Sequence, residues 1–348
     1  MVKYIIKRVL YMFVVLIILS VLMFVLYNLT PSNRAYTEAR TEIQSPQYKN
    51  MPEEEREKAF SELYLTYQRK YGTDTDNMAL RYFRWLGLAP YYNGELNGVL
   101  QGNFGYSYTL KDDVINVVKE PMKNTIFINV FATIIALAIT IPWGIRCAVK
   151  KGKLGDKSMQ VFSIIGYSLP TFLIAIVFVW FFCWLLPAFP PSGMETPGND
   201  FTGWKKFIDK VYYITLPIIV MTFCSLGGMT RYVRSSMIEA LSMDCIRTAR
   251  AKGLKERAVV YSHAWRNALI PIVTLVIGWF MGIFSGSLVI EQIFGINGMG
   301  RLMIESLYTA DFDVVIIMQL FYVILGLAGN LFIDIAYGLV DPRVRVNK

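Results

Sequence analysis

Apolar residues in this chain fall into long uninterrupted runs rather than into alternating or amphipathic patterns. Six such runs stand out, at 9–29, 125–145, 159–186, 211–230, 269–290 and 314–337. Each matches the roughly 20 residues needed to cross the hydrocarbon core of a bilayer. A membrane β-barrel would show a period of two, which these runs lack. Pro217, Gly227 and Gly228 interrupt the fourth run. Such residues are tolerated in a span where neighbouring helices satisfy the freed backbone groups. The pattern predicts an all-α integral membrane protein with six transmembrane helices.

The polar stretches divide the chain into three parts. Residues 1–30 are a short tail and the first span, 31–123 a polar domain, and 124–348 a core of five further spans. Within the polar domain, 31–50 reads as irregular. The stretch MPEEEREKAFSELYLTYQRKYG (51–72) reads as a helix: Pro52 suits its first turn, acids follow, and Gly72 is a stop. Ala59, Leu63 and Tyr67, with Phe60 and Tyr64, give it one apolar face. That face either packs within its own domain or docks a partner. MALRYFRWLGL (78–88) reads as a second amphipathic helix, and Gly102 and Gly105 as a turn. Asp112 or Asp113 is expected to cap a helix ending at Glu120, before Pro121.

Charge adds orientation. The 348 residues are 54% hydrophobic and 18% charged, with a net charge of +9. Average usage is about 25% charged. Basic residues collect in alternate connections: Lys3, Lys7 and Arg8; Arg146, Lys150, Lys151, Lys153 and Lys157; eight from Arg231 to Arg266; and Arg343, Arg345 and Lys348. The positive-inside rule then puts both termini and loops 146–158 and 231–266 in the cytoplasm, and 31–123 outside. The first apolar run is too long for the core of a signal peptide and lacks a small-x-small cleavage site, so it is expected to stay as an anchor. The charge is thus explained by membrane topology, without nucleic acid as a partner.

Catalytic and metal chemistry find little support. His263 is the only histidine, which excludes HExxH and multi-histidine metal sites. Cys147, Cys183, Cys224 and Cys245 have no metal-ligand spacing and read as packing residues. KKGKLGDKS (150–158) is not a phosphate-binding loop, because that pattern needs glycine where Lys151 and Asp156 stand. No GxSxG element occurs. The chain is therefore read as a non-enzyme with no cofactor of its own. Two further features are structural candidates. Gly278, Gly282 and Gly286 form a small-residue stripe four apart, suited to close packing within the subunit or across an interface. Asn330 and Asp334 are polar groups in the last run, and Asp334 is expected to tie that helix to a neighbour.

The basic connection from 231 to 266 carries the strongest pattern. Met237–Ala251 holds no Pro or Gly and reads as one helix, Gly253 as a turn, and Lys255–Ala264 as a second helix before the fifth span. The sequence RYVRSSMIEALSMDCIRTARAKGLKERAVVYSHAWRNALIP (231–271) resembles the inner-membrane permease of binding-protein-dependent ABC importers. It is similar in particular to the B-type permease of the oligopeptide/dipeptide branch, with its TARAKG (248–253) followed by RNALIP (266–271). The opening YIIKRVLYMF, the elements RYFRWLG and GNFGYS, the loop VIEQIFGINGMGRL and the ending NLFIDIAYGLVDPRVR are similar to the same branch. Residues 31–77 and the insert near APYYNGELN have no such counterpart. The broad importer motif begins with Glu where this chain has Arg247, and Asn297 stands where the branch often has Pro.

The resemblance implies a type I ABC importer permease fold and a role in ATP-driven uptake of oligopeptides or dipeptides by alternating access. It implies a heterodimer with a second permease, two cytoplasmic ATPases that bind ATP and Mg, and an extracellular solute-binding protein, which would dock on 31–123. Arg247, Thr248, Ala249, Arg250, Ala251, Lys252, Gly253 and Leu254 would form the ATPase-coupling segment. Arg250 and Lys252 would meet an acidic rim, and Ala249 and Ala251 would permit close approach. The branch also includes importers of nickel chelates, glutathione or oligosaccharides, and the substrate-binding residues are left open. A secondary transporter would show inverted repeats and intramembrane charges, and the chain has no clear repeat. An intramembrane enzyme is the remaining alternative.

Overall fold

The structure, a computed structural model, describes residues 2–29 and 34–340. The DPRVR ending and the basic residues Arg343, Arg345 and Lys348 lie outside the described residues. The chain divides into two compact units. One comprises Met1–Leu10, Val118–Ile304 and Ile324–Lys348; the other comprises Tyr11–Val117 and Glu305–Val323.

The second unit holds most of α1 (Val2–Asn28), then α2 (Arg34–Glu42), α3 (Glu53–Lys70) and α4 (Met78–Leu86). The predicted helix at 51–72 is α3, with Glu53, Glu54 and Glu55 in its first turn and Arg69 and Lys70 in its last. Those charges oppose the helix dipole at both ends. α4 matches the predicted 78–88 helix, and its start is fixed by Asn77, whose Oδ1 accepts from Ala79 N at 3.1 Å and Leu80 N at 3.2 Å. The expected irregular stretch 31–50 is corrected in part, since residues 34–42 are helical. The helix forms because α3 offers it an apolar face. Ala35 and Ala39 are buried, and Tyr36 packs edge-on to Phe60 and Tyr64. Glu38 and Glu42 accept hydrogen bonds from Tyr71 and Tyr67. Phe24 lies 5.5 Å from the rings of both Tyr82 and Trp85.

A two-residue antiparallel ribbon, β1 (Tyr106–Ser107) with β2 (Asp112–Asp113), leads into α5 (Val114–Val149). Asp112 accepts from Asn116 Nδ2 at 3.0 Å, close to the predicted cap. The helix does not end at Glu120 as expected. It continues through Pro121 and Pro142 for 36 residues. A proline removes only one ladder bond, and a long apolar helix absorbs that loss.

The first unit contains the rest of α5, then α6 (Leu154–Ser168) and α7 (Thr171–Val179), which ends in a π-helical turn at Trp180–Leu185. The run expected as one helix at 159–186 is bent by 102° between α6 and α7. Pro170 forces the preceding Leu169 out of the helical region, to φ −80° and ψ 136°. α8 (Gly203–Ser242) passes through Pro217, Gly227 and Gly228 without a break. After it come α9 (Asp244–Ala251), α10 (Glu256–Ala258), a π turn at Val259–Ala264, and α11 (Trp265–Gly282). The short helices α12 (Leu288–Ile293) and α13 (Met299–Tyr308) precede α14 (Phe312–Val340). The predicted fifth span at 269–290 is therefore helical only to Gly282 on its first side. Among the described residues, four helices are long and apolar enough to cross a membrane, or up to six if each bent pair is one crossing.

Gly227 explains how α8 packs. A Cβ there would lie 2.5 Å from the Ser163 carbonyl oxygen of α6, whereas one at Gly228 meets only Tyr167 at 3.9 Å. Gly227 is thus a contact point and not a helix breaker. Gly227→Ala should separate α6 from α8 and lower the thermal unfolding temperature of the purified protein, while Gly228→Ala leaves it near wild type. Equal melting of the two variants would remove the close contact as the reason for this glycine.

Candidate functional site

The segment singled out by sequence, 247–254, is built on a small apolar core. α9 contributes Ile246 and Ala249, both buried, to a cluster with Met237 and Ala240 of α8 and with Val259, Val260 and Ala264 of the π turn. The single helix expected over Met237–Ala251 is split at Met243, which is extended at φ −66° and ψ 149°. That break turns α9 so that Ile246 and Ala249 reach the core. Burying an isoleucine contributes about 1.5–3 kcal/mol, more than the helical preference of one methionine. Asp244 opens α9 in the first-turn position that favours an acid.

The same placement sorts the predicted residues. Arg247, Thr248, Arg250, Ala251, Lys252, Gly253 and Leu254 are exposed. Ala249 is buried, so it is corrected from an external contact to a core residue, and Ala251 alone keeps the exposed role. Arg250 reaches Glu256 with Nη2 at 2.7 Å and Nε at 3.2 Å. Both partners are about half exposed, so the pair aligns the turn more than it stabilises it. Arg247 has Asp244 at 3.4 Å as its partner within the helix. Gly253 lies at φ +73°, and its Cβ direction is open. The left-handed backbone, not crowding, therefore requires glycine there. The second predicted helix, Lys255–Ala264, is not separated from the fifth span: Glu256 to Gly282 is helical through the π turn, with a bend of 61° between Leu269 and Pro271. The segment 247–254 is thus joined to α11 through its own turn at Gly253 and the short α10.

A pair that sequence reasoning missed holds the base of this region. Asp156, near the start of α6, has a fully buried side chain. Arg234 of α8 meets it with both Nε, at 2.5 Å, and Nη2, at 2.8 Å. Gly152 N donates to Oδ2 at 2.8 Å. The bidentate geometry satisfies the carboxylate from three directions. The only signal in the sequence was one acid among the lysines of KKGKLGDKS.

A second missed group is Glu291, which the structure buries to 5% exposure. Thr125 Oγ1 donates to Oε1 at 3.0 Å and Arg301 N to Oε2 at 2.8 Å. Thr125 Oγ1 in turn accepts from Met299 N at 2.8 Å. Asn124 Nδ2 donates to Asn297 O at 2.9 Å, and Asn129 Nδ2 to Ile283 O and Ser285 O. These bonds pin the segment 283–301, with its short helix α12, to α5. Burial raises the Glu291 carboxyl above its usual range, and the surrounding donors restrain that rise.

The glycine stripe is corrected by the same segment. Gly286 lies beyond the end of α11, where its Cβ would be 2.1 Å from Gly300 N, and a Cβ at Gly298 would be 2.4 Å from Glu291 Cδ. Gly286 therefore makes room for the Glu291 cluster and does not continue a helical stripe. Gly278 and Gly282 have nothing within 4 Å of a built Cβ. The close contact on α14 falls instead at Gly329, 2.7 Å from Met281 Cγ. Asp334 does tie its helix to another: Oδ2 lies 2.7 Å from Arg8 Nε, an electrostatic contact that is not an aligned hydrogen bond. Asn330 is exposed.

Removal of Asp156 should destabilise, because it strands a guanidinium that is only 18% exposed; breaking a fully buried pair costs about 3–5 kcal/mol, and the partial exposure of Arg234 lowers that cost. Asp156→Ala and Arg234→Ala should each lower thermal stability, and the double variant by less than their sum. Strict additivity in that cycle would show the pair to be uncoupled. Glu291→Gln should also destabilise, since its NH2 group faces N–H and O–H donors. Wild-type melting of that variant would mean that the donors do not need an anionic acceptor.

Residues 140–346 match the family described as the binding-protein-dependent transport system inner membrane component. The chain is 31% identical to the oligopeptide transport system permease protein AppB of Bacillus subtilis, over 99% of both chains. It is 32% identical over 246 residues to the inner membrane ABC transporter permease protein YejB of Escherichia coli O157:H7, covering 70% of this chain and 68% of that one. It is 33% identical over 250 residues to the peptidoglycan transport system permease protein YejB of Agrobacterium fabrum, again covering 70% and 68%.

Proposed function

The chain belongs to the family of inner-membrane components of binding-protein-dependent transport systems, and from that membership we propose that it is one of two membrane-spanning subunits of an ATP-driven peptide importer. Its full-length likeness to an oligopeptide permease supports the substrate class. A component of such a system works with ATPases and a substrate-binding protein. Here the working assembly is a heterodimer with a second permease, two cytoplasmic ATPases that bind ATP and Mg, and an extracellular solute-binding protein docking on 31–123, with α3 as one contact. Each bent pair counts as one crossing, giving six. The positive-inside distribution then leaves both termini and the 231–266 connection in the cytoplasm. The open faces of Gly278 and Gly282 suit close packing by the second permease.

The observation that carries this reading is the mounting of α9. Its inner face is fixed in the core by Ile246 and Ala249, and its outer face presents Arg247, Thr248 and Ala251. A helix held in this way moves as one piece with the spans behind it. ATP binding draws the two ATPases together, the coupling helices follow, and the pathway opens outward to receive peptide. Hydrolysis returns it to the inward-facing state. The helical run from Glu256 to Gly282, bent by 61° between Leu269 and Pro271, is the route by which that motion enters the membrane.

A strain lacking this chain should lose peptide uptake and regain it with the wild-type chain. Gly253→Val should insert and assemble but fail to restore uptake, with ATP hydrolysis continuing in the purified complex. A left-handed non-glycine residue costs about 1–2 kcal/mol, enough to shift a turn without unfolding the protein. Full uptake by Gly253→Val would sink the coupling role.

A further inference from the structure

The second unit contains a cleft of about 800 Å3 that the coupling machinery does not use. Small-molecule sites span roughly 300–1,000 Å3. The walls carry the rings of Tyr71, Trp85, Tyr91 and Tyr108. Arg34 is stacked among them, its guanidinium carbon 3.9 Å from the Tyr71 ring centroid and 5.6 Å from that of Tyr108. It pairs with Glu38 at 3.3 Å and with Asp313, and Tyr71 donates to Glu38. That part of the cleft is internally neutralised.

Three buried polar atoms of lining residues are not satisfied. Arg34 Nη2, Arg81 Nε and Asp311 Oδ1 have no hydrogen-bond partner. Arg81 donates to the neutral Asn28 side chain through Nη2 and has no ion-pair partner among the described residues. Asp311 is 1% exposed. Its Oδ2 accepts from Ser107 Oγ at 2.5 Å and Thr109 N at 3.4 Å, which leaves Oδ1 unused. Burial lowers the Arg81 guanidinium against the pull of Asp76, and raises the Asp311 carboxyl against the pull of Arg34, so each charge is still held in surroundings that a further opposite charge would ease. Native interiors rarely leave such groups unpaired.

The missing partners define a ligand. The Arg81 nitrogen calls for an anionic acceptor, and the Asp311 oxygen for an N–H donor. The aromatic walls call for apolar side chains. A short peptide supplies all three. We propose that this cleft is a peptide-binding site, with the peptide's carboxylate on Arg81 and a peptide N–H donor on Asp311. The choice of ligand rests on reading the chain as a peptide permease; the choice of site does not. Such a site would hold peptide on the permease itself, apart from the solute-binding protein.

The test uses the purified full chain in lipid nanodiscs and isothermal titration with the tripeptide Ala–Phe–Ala. Saturable binding is expected, weakened at least tenfold when the peptide's carboxylate is converted to an amide. Arg81→Gln should bind the free-acid peptide at least tenfold more weakly and the amide as the wild type does, which also shows that the variant is folded. Asp311→Asn should weaken the free-acid peptide with little change in melting temperature. No saturable binding to the wild type, equal affinity for acid and amide, or an Arg81→Gln variant that binds the acid as tightly as wild type would overturn the proposal. Peptide uptake in the complemented strain, scored separately, distinguishes the two failures. Uptake without binding removes only the cleft, and no uptake of any peptide removes the importer reading itself.

Discussion

The ion pair between Asp156 and Arg234 is the interaction on which the arrangement around α9 in the first unit depends. The Asp156 carboxylate has no water to turn to: its side chain is fully enclosed, while that of Arg234 is 18% exposed. A buried carboxylate is tolerable only with a well-aligned partner and its remaining lone pairs satisfied. The fork of Arg234 and the Gly152 amide meet that demand, and in doing so they fix where α6 starts relative to α8. Gly227 then lets the two helices approach at Ser163. Once α8 is placed, Val233, Met237 and Ala240 present the apolar surface on which α9 and the π turn are laid. The helix α9 therefore takes its position from a charge pair in a different stretch of sequence.

A second constraint of the same kind acts through Glu291. The chain leaves α11 and passes through a segment that is not continuously helical, with backbone groups that need partners. Thr125, Asn124 and Asn129 of α5 supply them, and Glu291 closes the segment on itself through the Arg301 amide. Phe294 and Ile296 fill the apolar space beside Ile128 and Ile214. Both constraints follow one rule. Where an apolar protein carries a buried charge or a broken helix, the compensation has to come from within the chain.

The second unit is held differently. Beside buried aliphatic residues such as Val114, Val314 and Val315, it uses aromatic rings and tyrosine–carboxylate bonds. Rings of this kind bury a large area while leaving a hydroxyl at the edge. They can therefore build a small helical unit and wall an open cleft at the same time.

Much of this was legible in the sequence. The six apolar runs, the helices at 53–70 and 78–86, and the exposed basic segment around Gly253 could all be read from local pattern, because length, capping residues and charge placement act within a few residues. The bend at Pro170 was also locally encoded, in the dipeptide Leu169–Pro170, although the apolar run concealed it. The break at Met243, the continuation of α5 through Pro121 and the loss of Gly286 from the helical stripe carried no local signal. The break before α9 is decided by Val259 and Val260, more than ten positions away, and the crowded turn at Gly286 by Gly300, again more than ten positions away, together with Glu291. The sequence by itself determined that the chain crosses a membrane and that its basic residues gather in alternate connections. Only the tertiary structure decided that Ala249 points inward, that Asp156 finds Arg234 and that Glu291 organises the segment after α11. The reason is that burial and charge pairing are properties of a position in space, and periodicity along a chain does not report which distant group will come to share it.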